Sequence, residues 1–224
     1  MRAPDDIALI AFDIDGTLVE SPHGHVIWEL LNHRFTGGPE IGAARFRSFL
    51  AGEIDYAQWV ALDVQGWIDA SATRSEIVEE VRKLRPIDDA HDTLLALRAR
   101  GYRLAVISGT LDVVIEEHFP EHPFEAVFTN KLHFDAADRL IGWTATPYDQ
   151  EGKAHALEML AEQNGLPLSR CAFVGDHMND CAVARRAGFS IAWNPKVPEL
   201  EQAATCTVRG TSLRAILDRF QVGA

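Results

Sequence analysis

The stretch from Leu9 to Leu18, Leu-Ile-Ala-Phe-Asp-Ile-Asp-Gly-Thr-Leu, places the strongest constraint on the fold of this chain. A short apolar run that stops at a turn residue is typical of a strand buried on both faces of a parallel sheet. Asp13 and Asp15 follow where that strand ends. Ligands of open α/β sheets bind at the carboxyl ends of the strands, and paired carboxylates there suit an oxygen-preferring cation such as Mg²⁺. The alternative is a strand end with two solvated acids before a turn.

Charge and cysteine content bound the partners of the chain. Its 224 residues include 33 acidic residues against 21 Lys and Arg, a formal net charge of −12. Nucleic acids and anionic membranes bind clustered positive charge, so we expect neither as a partner. A small phosphorylated substrate needs only a few local cations and stays possible. The sequence gives no indication of the oligomeric state.

The cysteines and the apolar runs favour a cytoplasmic protein. Cys171, Cys181 and Cys206 are odd in number and lack metal-type spacing, so we expect reduced thiols. The first apolar run meets Asp13 too soon for a signal peptide. No apolar run approaches the ~20 residues that span a bilayer, so no membrane segment is expected.

The order of the elements predicts an α/β fold that contains a helical insert. From Glu20 to about Arg85, amphipathic segments replace the strand-like runs, and Ser75 is a possible cap of the last one. After Pro86, strands alternate with helices, which indicates a parallel sheet. Two short strands, Ala126–Thr129 and Lys131–Phe134, are predicted in this second part, followed by another at Leu140–Thr144.

Polar side chains with complementary chemistry follow several of the predicted strands. One of them, Lys153, falls in the first turn of a helix, where the helix dipole disfavours a cation. A nearby anion would explain this lysine; a solvated surface position is the alternative. The set consists of Asp13, Asp15, Ser108, Thr110, Lys153, Asp176, Asn179 and Asp180.

These groups together fit phosphoryl transfer. Three carboxylates can hold Mg²⁺, which neutralises phosphate charge. A lysine and a hydroxyl can bind the phosphoryl oxygens. One carboxylate can attack phosphorus to form an aspartyl-phosphate, and a second can protonate the leaving oxygen and then activate water.

The order of the groups along the chain resembles the haloacid dehalogenase superfamily of phosphatases. The motifs run from Asp13 to Asp180 and cover most of the chain. They stand here as Asp13-Ile14-Asp15-Gly16-Thr17, Ser108 within Val-Ile-Ser-Gly-Thr, Lys153, and Gly175-Asp176-His177-Met178-Asn179-Asp180.

The resemblance implies a role for each motif residue. Asp13 would be the nucleophile and a metal ligand, Asp15 the general acid/base with its backbone carbonyl on the metal, and Asp176 a further ligand of Mg²⁺. The phosphoryl group would be held by Ser108, Gly109 and Lys153, and supporting roles would fall to Thr17, Asn179 and Asp180.

The resemblance also implies a Rossmann-like parallel-sheet core with a helical cap inserted after the first strand. Residues 1–19 and 87–224 would form the core and residues 20–86 the cap. Within the superfamily, the segments Gly52–Trp59 and Phe128–Leu132 are similar to the phosphoserine phosphatase-like branch. Gly16 stands where the first motif of that branch usually has a serine. The glutamate that contacts the substrate amine in that branch lies further past the first motif than Glu20 does here.

Residues for substrate specificity are sought in the cap. Arg45 and Arg47 could pair with a substrate carboxylate, and Glu20 is a candidate for contact with its amine. A solvated helix face is the alternative for both arginines. The sequence thus predicts a Mg²⁺-dependent phosphatase for a small phosphomonoester, phosphoserine or a similar metabolite. A phosphomutase on the same scaffold and a non-catalytic phospholigand-binding protein are the alternatives.

Overall fold

The computed structural model describes residues 1–147 and 151–220 and contains a seven-stranded sheet with the strand order β6-β5-β4-β1-β7-β8-β9. The central strand β1 (Leu9–Phe12) lies between β4 (Arg103–Leu111) and β7 (Cys171–Gly175), and both pairings are parallel. This order brings the carboxyl ends of the three strands that carry the sequence motifs side by side. The other strands are β5 (Phe124–Phe134), β6 (Leu140–Thr144), β8 (Phe189–Trp193) and β9 (Cys206–Val208).

Both faces of the sheet are covered, as expected from the continuous apolar runs of its strands. Ile10 and Phe12 of β1 belong to one hydrophobic cluster, whereas Leu9 and Ala11 belong to a second cluster on the opposite face. The predicted α/β architecture with a mostly parallel sheet is therefore confirmed. The helices that follow the insert are α5 (Ala90–Ala99), α6 (Asp112–His118), α7 (Glu151–Gln163), α8 (Cys181–Arg186) and α9 (Pro198–Ala203).

The insert consists of four helices between two very short strands. Strand β2 (Val19–Glu20) pairs antiparallel with β3 (Arg85–Pro86), which closes the base of the insert. The assignment of residues 20–86 as a separate domain stays a prediction. The helices are α1 (Ile27–Phe35), α2 (Pro39–Leu50), α3 (Tyr56–Asp69) and α4 (Arg74–Val81).

Local details differ from the predicted elements. The N-cap of α4 is Thr73, whose hydroxyl accepts from the amide of Glu76 at 3.3 Å, so the prediction of Ser75 was wrong. The predicted break at Asn130 was also wrong, because β5 runs through it. The strand pairs with β4 up to and including this residue and with β6 after it.

The β2–β3 pair and α9 were not predicted. The last four residues of the predicted core, 221–224, lie outside the described part of the chain. Among the described residues, no helix combines the length and hydropathy needed to cross a membrane.

Candidate active site

The carboxyl end of β1 carries the first acidic pair into a tight turn. Asp13 is buried, and its amide donates to the carbonyl of Val174 on β7 at 2.9 Å. Gly16 adopts φ +82°, and a Cβ at this position would lie 2.0 Å from Asp176 Oδ2. A glycine is therefore required here, because it adopts this backbone conformation and leaves room for the carboxylate of Asp176.

Lys153 occupies the first turn of α7 and is completely buried. Its Nζ lies 2.8 Å from Asp13 Oδ1 and 2.7 Å from Asp180 Oδ1. Burial opposes the charged ammonium, but the two carboxylates outweigh it and hold the pKa of Lys153 above its usual range. The cation that the helix dipole disfavours is thus stabilised by two anions, and the solvated alternative was wrong.

Three carboxylates converge beside this lysine. Asp13, Asp176 and Asp180 each offer an oxygen within 4.8 Å of the others, and all three are buried. Burial and the charges of its two neighbours raise the pKa of Asp176 well above its usual value. Within the described part of the chain, Asp176 Oδ1 has no hydrogen-bond partner. A buried oxygen without a partner among like charges fits a divalent cation, which would supply the missing positive charge.

Asp180 links the three carboxylates, called the acidic cluster below, to the backbone of the loop that carries Asp176. Its Oδ2 accepts from the amides of Asp176 at 2.8 Å and His177 at 3.1 Å, while Oδ1 faces Lys153. A Cβ on Gly175 would lie 2.3 Å from Asp180 Oδ2, so this glycine allows the close approach. Asp180 therefore orients both the lysine and the loop that carries Asp176, and the half-buried Asn179 precedes it in the chain.

Asp15 is partly exposed at the end of the same turn. Desolvation, together with the charge of Asp13, raises its pKa to about 7, and the Thr110 hydroxyl and Lys153 oppose this rise. A carboxyl group with such a pKa can either give or take a proton near neutral pH, as a general acid/base must.

Near its carboxyl end, β4 contains an irregular segment, the Ser108–Thr110 turn, which lies beside Asp15. Ser108 is 2% exposed, and its Oγ accepts from the amide of Thr110 at 3.2 Å. Thr17, from the first motif, is fully buried on the β1 side. The structure thus brings hydroxyl, ammonium and carboxylate groups from four separate stretches of sequence together at the carboxyl ends of the central strands.

Comparison with known proteins agrees with this arrangement. A family model described as haloacid dehalogenase-like hydrolase matches residues 10–185. The chain belongs to this family. The resemblance found from the motifs is therefore confirmed.

Relatives of this chain include proteins named phosphoserine phosphatase. The chain is 34% identical to phosphoserine phosphatase SerB2 of Mycobacterium tuberculosis over 93% of its own length but only 49% of that protein. It is 27% identical to the phosphoserine phosphatase of Methanocaldococcus jannaschii over 93% of this chain and 95% of the relative. The chain thus spans about half the length of the first relative and nearly all of the second.

A solved structure extends the similarity to the fold. The structure described as a phospho-aspartyl intermediate analogue of phosphoserine phosphatase superimposes with a TM-score of 0.75 at 25% identity. The alignment covers 99% of this chain and 100% of that chain.

The three predicted specificity residues have no contact with Asp13, Asp176 or Asp180 within the described part of the chain. Arg45 Nη1 pairs with the buried Asp63 at 2.6 Å inside the insert. Glu20 pairs with Arg85 at 2.6 Å across the β2–β3 pair. Arg47 is exposed on α2. Contacts of Arg45, Arg47 and Glu20 with a substrate stay predictions.

Sequence reasoning missed a set of donors around the Gly109 carbonyl. This oxygen accepts from Trp28 Nε1 at 3.0 Å and from Asn130 Nδ2 at 2.7 Å, and Tyr56 Oη lies 3.5 Å away. Trp28 and Tyr56 belong to the insert, whereas Asn130 belongs to β5. Asn130 carried no distinct signal, because it stands between the polar residues Thr129 and Lys131, and it was interpreted as a break between two strands.

Proposed function

We propose that this chain is a Mg²⁺-dependent phosphatase that hydrolyses a small phosphomonoester through an aspartyl-phosphate on Asp13. The observation that carries the proposal is the position of the Asp13 carboxylate. It lies at the carboxyl end of the central strand, 2.8 Å from the Lys153 ammonium and beside two further buried carboxylates. A protein that only bound a phosphorylated ligand would not require a nucleophilic carboxylate beside a metal site.

In the first step, a carboxylate oxygen of Asp13 attacks phosphorus, the new P–O bond forms, and the bond to the leaving oxygen breaks. Asp15 donates its proton to that oxygen, so the product leaves as an alcohol. The raised pKa of Asp15, about 7, supports this role. The Lys153 ammonium and the Ser108 hydroxyl bind phosphoryl oxygens, with Gly109 next to them in the loop.

In the second step, Asp15 takes a proton from water, which attacks phosphorus. The acyl phosphate is cleaved, inorganic phosphate leaves, and the Asp13 carboxylate is restored.

Asp13, Asp176 and the backbone carbonyl of Asp15 would hold Mg²⁺, supported by Thr17, Asn179 and Asp180. The ion would neutralise phosphate charge when bound. The hard oxygen donors and the partnerless Asp176 Oδ1 support this assignment.

Phosphoserine or a similar small metabolite is the proposed substrate, on the basis of the relatives named phosphoserine phosphatase. Residues 20–86 are proposed as a cap domain that covers the leaving group and excludes water. The three free cysteines support a reducing, cytoplasmic location.

The test is phosphate release from a panel of small phosphomonoesters with Mg²⁺, O-phospho-L-serine included. We expect release by the wild type and none by Asp13→Asn, while Asp92→Asn, an exposed acid on α5, keeps full activity. Circular dichroism would show that both variants are folded. A folded Asp13→Asn variant with wild-type turnover would refute the mechanism.

A further inference from the structure

The side-chain amide of Asn130 is buried, and its nitrogen and its oxygen form hydrogen bonds with different partners. It is 1% exposed, and its Nδ2 donates to the Gly109 carbonyl at 2.7 Å and to Tyr56 Oη at 2.8 Å. Its Oδ1 accepts from the amide of Thr146 at 2.8 Å. Because a backbone amide only donates and a carbonyl only accepts, these two partners fix the orientation of the side chain.

The amide fills a gap in the sheet. Strands β4 and β5 pair in regular parallel register from Ala105 with Ala126 to Ile107 with Phe128, and the next pair is Leu111 with Asn130. Four steps along β4 therefore span two steps along β5, so the turn that contains Ser108 bulges out of the ladder. The Asn130 side chain supplies a donor to the Gly109 carbonyl, which the bulge removes from regular pairing.

The same carbonyl is reached from the helical insert. Trp28 Nε1 on α1 donates to it at 3.0 Å, and Tyr56 Oη on α3 lies 3.5 Å from it and 2.8 Å from Asn130 Nδ2. The oxygen next in the chain to the proposed phosphate-binding Ser108 is thus held by one donor from the core and contacted by two groups from the insert. The core and the insert therefore both contact this one carbonyl oxygen.

We propose that Asn130 is a positioning residue for phosphoryl transfer, which fixes the Ser108–Thr110 turn through the Gly109 carbonyl. Trp28 and Tyr56 join the insert to the same point, so the turn takes its binding shape only when the insert is seated on the core. This inference rests on the proposed phosphatase activity. It assigns no contact between Asn130 and the substrate.

The decisive variants are Asn130→Ala and Asn130→Asp. An aspartate can still accept from the Thr146 amide but cannot donate to the Gly109 carbonyl. A displacement of about 1 Å in such a turn can cost about 10²-fold in rate. We expect kcat/KM to fall by roughly 10- to 100-fold in both variants, and the inhibition constant of inorganic phosphate to rise.

The matched control is Thr129→Val, which is isosteric and removes a buried hydroxyl in the neighbouring position of β5. Within the described part of the chain, this hydroxyl has no hydrogen-bond partner. We expect its kcat, KM and phosphate inhibition constant to equal those of the wild type. Tyr56→Phe tests the insert side, and we expect a smaller loss in kcat/KM with the same direction of change in phosphate inhibition.

A merely structural role of Asn130 gives a different outcome. The melting temperature would fall, while KM and the phosphate inhibition constant of the folded enzyme stayed at wild-type values, and this would overturn the inference. If Asn130→Ala does not fold, Asn130→Asp and Tyr56→Phe decide the question by the same readouts. Absence of turnover in the wild type would instead refute the proposed function. The rise in melting temperature that inorganic phosphate gives each variant would then show whether the Ser108–Thr110 turn still binds phosphate.

Discussion

The ion pair between Arg45 and Asp63 inside the insert gives the sharpest quantitative prediction. The Asp63 side chain is 1% exposed and that of Arg45 21%, with 2.6 Å between Nη1 and Oδ1. Asp63 also accepts from Asn32 Nδ2 at 2.9 Å, and Asn32 Oδ1 accepts from Trp67 Nε1 at 2.9 Å. Burial raises the pKa of Asp63, and the hydrogen bonds from Asn32 and Arg45 oppose this rise.

The perturbation is Arg45→Met, which keeps the aliphatic stem and removes the guanidinium. Removal of one partner of a buried pair costs about 3–5 kcal/mol, because the other charge stays buried. Arg45 is partly exposed and Asn32 still donates to Asp63, so we expect the lower end, about 3 kcal/mol of unfolding free energy. For a chain of this size that corresponds to a fall in melting temperature of roughly 6–12 °C.

The assay is urea unfolding followed by tryptophan fluorescence, with Arg47→Met as the matched control on the same helix. Arg47 is exposed, so its variant should stay within about 0.5 kcal/mol of the wild type. Equal stability of the two variants would refute the reasoning. The double variant Arg45→Met/Asp63→Asn should recover part of the loss, because the uncompensated charge is gone.

The pH dependence provides a second check. A carboxyl group whose pKa is raised in the folded state lowers stability when it is ionised, and this cost grows as the pH rises above its unfolded pKa. Arg45→Met should raise the pKa of Asp63 further. The stability difference between wild type and Arg45→Met should therefore shrink as the pH falls toward the ordinary pKa of an aspartate, whereas a constant difference would contradict the buried-charge explanation.

The same variant tests the predicted contact of Arg45 with a substrate carboxylate. If that contact exists, Arg45→Met raises KM for phosphoserine and leaves KM for a phosphomonoester without a carboxylate unchanged. An equal change for both substrates would assign Arg45 to the structure of the insert alone.

Two further predictions concern the acidic cluster. Gly16→Ala should abolish Mg²⁺-dependent turnover and lower stability by more than the control Gly24→Ala. Both glycines have positive φ, but only at Gly16 would a Cβ meet Asp176, at 2.0 Å from its Oδ2. Equal effects of the two variants on urea unfolding and turnover would contradict this prediction. Mg²⁺ at about 100 times its Kd should stabilise the chelator-treated protein by about 2.7 kcal/mol, seen as a rise of roughly 5–10 °C in melting temperature. Asp176→Asn should lose this rise, and an equal rise with Na⁺ at matched ionic strength would argue against a specific site.

Much of the site could be predicted from local sequence. The apolar run before Asp13, the turn at Gly16 and the alternation of strands and helices each follow from a few neighbouring residues. Because parallel strands end at the same edge of a sheet, these local patterns also bring Asp13, Ser108 and Asp176 together. Lys153 was singled out because its charge opposes the helix dipole, and the structure gives it two carboxylate partners.

Other features depend on partners that are distant in the chain. Asn130 was interpreted as a break between two strands, whereas its buried amide is satisfied by groups that are distant in the chain. Its partners come from Gly109, Tyr56 and Thr146, which belong to three other segments. The β2–β3 pair joins residues that are distant in the chain, and it was missed because elements this short carry little periodicity.

The sequence by itself determined the fold class, the family and the chemical groups at the carboxyl end of the sheet, because these depend on local patterns and motif order. Only the tertiary structure decided which charged side chains have an oppositely charged partner within the protein. Arg45 has the same side-chain chemistry as Arg47, yet the packing of α2 on α3 gives one of them a buried carboxylate and leaves the other exposed. The pairing of charges is set by which helix faces meet, and that is a property of the packed structure.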